Sequence, residues 1–224
     1  MKFVLNSSID TLPTKVKLKQ WGKVSNDKCF CGKRQTLNHI LNCCKTSLNQ
    51  GRFTFRHDNI LHYVSKCLDH EKFKCYVDIP GHQTAAGGTL PPSVLVTNLK
   101  PDIVIVNNPE KAVSIFELTV PSEQRIEVAN KLKNEKYQHF LSDINSLKPN
   151  LNCFEIGLHT GYISRRNRQH LQELHKYCKK EIKVKKFIQN ISAIAILNSY
   201  YIFNCRNKDL WEDTEPIFPP FSDH

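Results

Sequence analysis

Lys100-Pro101-Asp102-Ile103-Val104-Ile105-Val106 and, a few residues on, Ala112-Val113-Ser114-Ile115-Phe116-Glu117-Leu118-Thr119-Val120 decide the fold. Residues 102–106 and 112–120 are β-branched and apolar, as strands are, and Asn107, Asn108 and Pro109 between them read as a turn. With 14 residues between Asp102 and Glu117, a hairpin brings the two carboxylates side by side. A carboxylate inside an apolar strand is costly unless something compensates it. Two that converge offer the hard oxygen ligands that suit Mg²⁺. Such a metal polarises a phosphodiester and lowers the pKa of attacking water. The plainer alternative has Asp102 capping a turn and Glu117 facing solvent.

Strand and helix periods extend outward from this pair. Upstream, residues 73–79 alternate like a strand, and in 56–70 Ile60, Leu61, Val64, Cys67 and Leu68 recur at helical spacing. Residues 80–98 hold Pro80, Gly81, Gly87, Gly88, Pro91 and Pro92, and read as a loop or wide hairpin. Downstream, Ser122 is positioned to cap a helix running from 123 to about 147. A short strand over 153–158 follows, then basic helices over 165–180 and from 184 to about 204.

On the 123–147 helix, Ile126, Ala129, Leu132, Tyr137, Phe140, Leu141, Ile144 and Leu147 define one face. At ~100° per residue, Lys133 falls near the centre of that face and Lys136 about 60° toward its edge. A lysine within a buried stripe needs an acidic partner. Asp102 and Glu117 supply one if the helix packs across them. Otherwise Lys133 snorkels outward and Lys136 is the active cation. His57 begins the 56–70 helical stripe, so it is expected to point inward toward the same site.

The 224 residues carry a formal charge of +11, unevenly spread. Residues 101–146 sum to −2, while 147–206 sum to +8. An acidic segment framed by basic ones suits a nucleic-acid enzyme, which needs carboxylates for metal and cations for phosphate. Nine Lys/Arg lie in 164–186, led by Arg165, Arg166 and Arg168. They read either as a solvated helix face, as a grip on DNA backbone, or as a nuclear-localisation patch. The most apolar stretch, 187–203, is interrupted by Gln189, Asn190, Asn198 and Ser199. It falls short of the ~18 apolar residues of a membrane span, so no membrane partner is expected.

Four of the nine cysteines crowd into Cys29-Phe30-Cys31-Gly32 and the Cys43-Cys44 pair that follows His39. The start of the chain lacks the apolar run of a signal peptide, so a reducing compartment is expected, where clustered cysteines bind metal more often than they form disulfides. Cys29, Cys31, His39 and Cys44 give C-x-C-x7-H-x4-C, a tetrahedral ligand set for zinc. Cys43 is an alternative to Cys44, and buried reduced thiols are the alternative to a metal. Four protein ligands make the site structural, with no position left for a catalytic water.

The order of these features resembles the C-terminal region of a site-specific non-LTR retrotransposon polyprotein. There a CCHC zinc knuckle precedes a restriction-like endonuclease of the PD-(D/E)xK type. The matching residues are the knuckle, 56–61 with Arg56 and His57, 100–106, 116–120, and Lys133, Lys136 and Tyr137 in K-x-x-K-Y. Residues 12–23, 153–162 and 206–211 also look like that family. The resemblance implies a restriction-endonuclease-like mixed β-sheet core flanked by helices, preceded by a zinc knuckle and followed by basic C-terminal helices. It divides the chain into a basic linker (1–28), the knuckle (29–50), the endonuclease core (51–163) and a basic helical extension (164–224). It implies Mg²⁺-dependent nicking of double-stranded DNA in the nucleus, contact with RNA, and a reverse transcriptase upstream. Catalytic roles fall on Asp102, Glu117, Lys133, Lys136 and His57, and nucleic-acid contacts on Arg56, Lys100, Arg165, Arg166 and Arg168. The third position of the (D/E)xK element is Thr119, so the lysine must come from the following helix. The competing expectation is a catalytically inactive nucleic-acid-binding remnant or domesticated zinc-knuckle protein. A purely structural zinc protein leaves the buried carboxylates unexplained.

Overall fold

A computed structural model describes residues 2–79, 100–109, 112–142 and 148–211. Lys74–Val77 (β1), Ile103–Asn107 (β2), Ala112–Thr119 (β3) and Lys148–Glu155 (β4) form one sheet in that order. The first three strands run antiparallel, with Ile103 opposite Phe116, and β4 is parallel to β3. Seven α-helices lie among the described residues. They are Lys2–Ser8 (α1), Lys15–Gln20 (α2), Lys45–Asn49 (α3), Arg52–Cys67 (α4), Ile126–Ser142 (α5), Arg165–His175 (α6) and Val184–Asn204 (α7). A parallel pair needs a crossover, and α5, entered through a 3₁₀ turn at Glu123–Arg125, supplies it. The protein is thus mixed α/β with a four-stranded mixed sheet.

Helices cover both sheet faces, which is why 103–106 can be an unbroken apolar run. Ile103, Ile105, Phe116, Leu118 and Phe154 face the main core, where they join Ile60, Leu61 and Val64 of α4, Leu171 and Leu174 of α6, and Phe187, Ile191 and Ile194 of α7. By strand alternation, Asp102, Val104, Ile115, Glu117, Cys153 and Glu155 belong to the opposite face. That face lies against α5, whose Lys133 bonds to Glu117 and whose Asn130 bonds to Glu155.

Several boundaries differ from expectation. The lead-in over 1–28 is not a bare linker: it contains α1 and α2, and Phe3 and Leu12 pack with Leu37, Ile40, Leu41, Ile202 and Phe203 in a second apolar cluster. Pro13 lies between the two helices, and Thr14 caps the second through Lys17 N–H. The last strand starts at Lys148, ahead of the expected 153, because its register with β3 begins at Ala112. The 165–180 helix ends at His175, where the chain turns back so that Lys179 N–H reaches Cys67 C=O and Leu68 bridges to Cys178. The loop expected over 80–98 and the end of the 123–147 helix lie outside the described residues. No described helix is long and apolar enough to cross a membrane.

Arg56 does not meet the expectation of a phosphate contact. It is 3% exposed, and its Nη1 donates to Leu41 C=O at 3.1 Å and Ser199 Oγ at 3.4 Å. It therefore ties α4 to the metal-knuckle segment and to α7. Truncating it leaves Leu41 C=O unsatisfied in the interior. Arg56→Ala should lower the unfolding free energy by about 2–3 kcal/mol in a urea titration.

Candidate functional site

Two sites stand out, one built on the knuckle and one at the end of the sheet. In the knuckle, Gly32 adopts φ 81° and closes a tight turn in which its N–H reaches Cys29 C=O and Cys29 N–H reaches Lys33 C=O. This turn holds Cys29 and Cys31 together. His39–Cys43 is a π-helical turn. In an α-helix, residues five apart diverge by ~140°, whereas the wider i→i+5 turn returns them to one side. Cys44 is buried and its Sγ lies 3.6 Å from Cys29 Sγ, whereas Cys43 is exposed. Cys31 Sγ is 3.1 Å from His39 Nε2, and all four ligand atoms lie within 4.8 Å of one another. A tetrahedron of ~2.3 Å bonds has edges of ~3.8 Å, so the Cys₃His set could hold a metal ion. Burial pushes the Cys29 thiol up to about 11; a bound cation would offset this by favouring the thiolate.

The knuckle packs into the second apolar cluster through Leu37, Ile40 and Leu41. Gln35 fixes it further, accepting from Lys15 N–H at 3.0 Å and donating to Asn207 Oδ1 at 3.0 Å. Cys44→Ser should release one zinc per chain in metal analysis, and Cys43→Ser should retain it.

At the sheet end, Asp102 and Glu117 sit side by side across the β2–β3 pair. Asp102 N–H donates to Glu117 Oε1 at 3.1 Å, and Leu118 N–H donates to Asp102 Oδ2 at 2.7 Å. Their side chains are 11% and 0% exposed, so neither faces solvent. Lys133 Nζ lies 2.5 Å from Glu117 Oε2 and 3.7 Å from Asp102 Oδ2. His57 Nε2 is 3.4 Å from Asp102 Oδ2, and its Nδ1 is 3.1 Å from Asp58 Oδ1. Four of the expected catalytic residues, Asp102, Glu117, Lys133 and His57, therefore meet.

Lys136 does not join them. It is exposed, with its Nζ 3.4 Å from Tyr137 Oη and over the Tyr137 ring. The face of α5 turned to the sheet carries Lys133 and Tyr137 as expected, but Leu132 is 59% exposed and Asn130 and Asn134 take its part. Buried carboxylates demand polar partners more strongly than one leucine demands burial.

The electrostatics follow from these contacts. Burial and the charge of Asp102 raise the Glu117 carboxyl, with Lys133 opposing them. Burial would raise Asp102 as well, but His57, Lys133 and the Leu118 N–H outweigh it and hold it below the usual carboxylate range. Burial would depress Lys133, yet the two carboxylates raise it. The site thus keeps both an anion and an ammonium charged in a dry setting.

Of the expected nucleic-acid contacts, Lys100, Arg165, Arg166 and Arg168 are exposed and Arg56 is not. Sequence reasoning missed Asp58, Asn130 and Glu155. Glu155 carried the same signal as Glu117, an acid within an apolar strand, and Asp58 adjoins His57. No protein-family model matches the chain, and no curated protein matches it in sequence.

Burial would lower the His57 pKa, but Asp102 and Asp58 raise it from 6.5 to about 9. Its contribution to stability is full below the unfolded pKa and is lost as pH rises through the folded one. Between about pH 6 and about pH 10, wild type should lose on the order of 3 kcal/mol more unfolding free energy than His57→Gln, read from denaturant titrations of both.

Proposed function

We propose that this protein is a metal-dependent DNA endonuclease that nicks its target, with a restriction-endonuclease-like core related to that of site-specific non-LTR retrotransposon polyproteins. The observation that carries this reading is the contact of Lys133 with both Asp102 and Glu117. It restores to the site a lysine that Thr119 cannot supply, from the helix the motif order implies. Beside it stands His57, from the expected Arg-His element.

Asp102 and Glu117 are the residues to hold Mg²⁺. The contact of Lys133 with both carboxylates supports a demand for positive charge at this pair. When bound, the metal polarises the phosphodiester and activates water. Lys133 balances the negative charge that develops on the phosphorus oxygens. Its separation from bulk water strengthens that interaction. His57 orients Asp102 through Oδ2 and, as an imidazolium, holds a proton near the reacting phosphate. Lys100, Arg165, Arg166 and Arg168 meet the backbone phosphates of duplex DNA, and the zinc-loaded knuckle holds DNA or RNA nearby. A nuclear location and an upstream reverse transcriptase belong to the same reading.

The test is nicking of supercoiled plasmid with Mg²⁺ against EDTA. Wild type should relax the plasmid only with Mg²⁺. Asp102→Ala and Glu117→Ala should be inactive while still binding DNA. Lys133→Ala should lose about 10²–10³-fold, and Lys136→Ala far less. Normal cutting by Lys133→Ala would overturn the assignment. Tight DNA binding without any cutting by wild type would leave the inactive remnant in its place.

A further inference from the structure

We infer that the cavity beside the carboxylate pair is a nucleobase pocket, taking one unstacked base that bears an exocyclic amino group, from the strand to be cut. The inference rests on the endonuclease reading and adds a base preference to it. The cavity, about 610 Å³, lies among the N-terminal half of α5, the end of β4 and the start of α6. Its size suits a nucleotide-sized ligand.

Among the acceptors on its wall are the Glu155 carboxylate and the Asn167 amide oxygen. Glu155 is 2% exposed, and its Oε1 accepts from Asn130 Nδ2 at 2.6 Å. Among the described residues no cation pairs with it, and a buried carboxylate without one is costly. Asn167 is 1% exposed; its Nδ2 donates to Glu155 C=O at 2.8 Å, and its Oδ1 has no partner among the described residues. An exocyclic amino group carries two N–H donors, one for each acceptor, and adenine, cytosine and guanine have one while thymine does not.

A cation is the less fitting occupant. Glu123, also on the wall, is engaged at Oε1, which accepts from His159 N–H, Thr160 N–H and Thr160 Oγ1, while its Oε2 lies 2.9 Å from His159 Nδ1 without a hydrogen bond; Glu127, the third carboxylate of the wall, is exposed to water. Among the described residues only the Cys₃His set forms a metal-ligand cluster.

The rim suits a nucleotide as well. Tyr162 is 54% exposed, and its backbone is pinned through Gly157 N–H to its C=O and through its N–H to Thr160 Oγ1. It offers a held ring for stacking. Arg166 stands exposed in the first turn of α6, with Arg165 and Arg168 beside it. A helix N-terminus disfavours cations, so these arginines gain from an external phosphate.

The pocket also lies at the right reach. Cys153 is opposite Glu117, so Glu155 is a diagonal neighbour ~7–8 Å from it. On α5, Asn130 is one turn from Lys133. A base in the pocket therefore belongs to a nucleotide next to the phosphate at the carboxylates.

Binding of dAMP, dCMP, dGMP and dTMP to the full chain without added divalent metal tests this, by isothermal titration. The three amino-bearing nucleotides should bind at least about tenfold tighter than dTMP, the worth of one ~1.4 kcal/mol contact. Glu155→Gln should bring that ratio to within about twofold. Tyr162→Ala, a change at an exposed ring, should weaken all four alike and keep the ratio. Equal binding of dTMP, an unchanged ratio in Glu155→Gln, or no effect of Tyr162→Ala overturns the pocket. Plasmid nicking by the same preparations separates the two readings. Cutting without nucleotide discrimination discards the pocket alone, and discrimination without cutting discards the nuclease and keeps the pocket.

Discussion

Two carboxylates on neighbouring strands, both withdrawn from water, set the terms for the structure around them. Neither Asp102 nor Glu117 can remain charged there without cations and donors. Lys133 comes from α5, which covers one sheet face, and His57 from α4, whose apolar side packs on the other. The pair thus binds both helical layers to the end of the sheet. Backbone N–H groups of Asp102 and Leu118 complete the cluster, so strand pairing and charge compensation are one network.

The same constraint explains the polarity of α5. A crossover helix ordinarily turns its most apolar stripe to the sheet. Here Asn130 and Lys133 take the inner positions because Glu155 and Glu117 lie beneath them, while Val128 and Leu132 are left outward. Tyr137, fully buried, shares this face. The sheet face therefore divides into an apolar part over Val104, Val106, Val113 and Ile115 and a polar end that holds the buried carboxylates.

The metal knuckle is not an appendage tethered by a linker. Its Leu37, Ile40 and Leu41 share a core with α1 and the end of α7, and Arg56 bonds to Leu41 C=O from within α4. Arg52 repeats the arrangement farther along, with Nη1 on Cys205 C=O and Nη2 on Lys208 C=O. Two buried arginines thus act as struts that satisfy carbonyls in the knuckle and just past α7, whereas for Arg56 the resemblance implied a contact to phosphate. Their charge is spent inside the protein, and the exposed cations of α6 remain for an external anion.

How much could be read in advance depended on whether a residue's surroundings were local. The length of the hairpin put Asp102 and Glu117 side by side, because strand pairing across a short connection leaves few registers. Helical period put Lys133, rather than Lys136, on the inner side of α5. The spacing of Cys29, Cys31, His39 and Cys44 selected a ligand set, and only the placement of the sulfurs in the folded knuckle decided between Cys43 and Cys44. The fate of Arg56, the folding of 1–28 into packed helices and the meeting of Glu155 with Asn130 and Asn167 were not legible. Each depends on contacts between distant segments: α4 with α7, α1 with α7, β4 with α5 and α6. Sequence determines the chemistry and local geometry each segment can offer, and tertiary packing decides which buried charges find partners, because a partner far along the chain leaves no period or spacing to read.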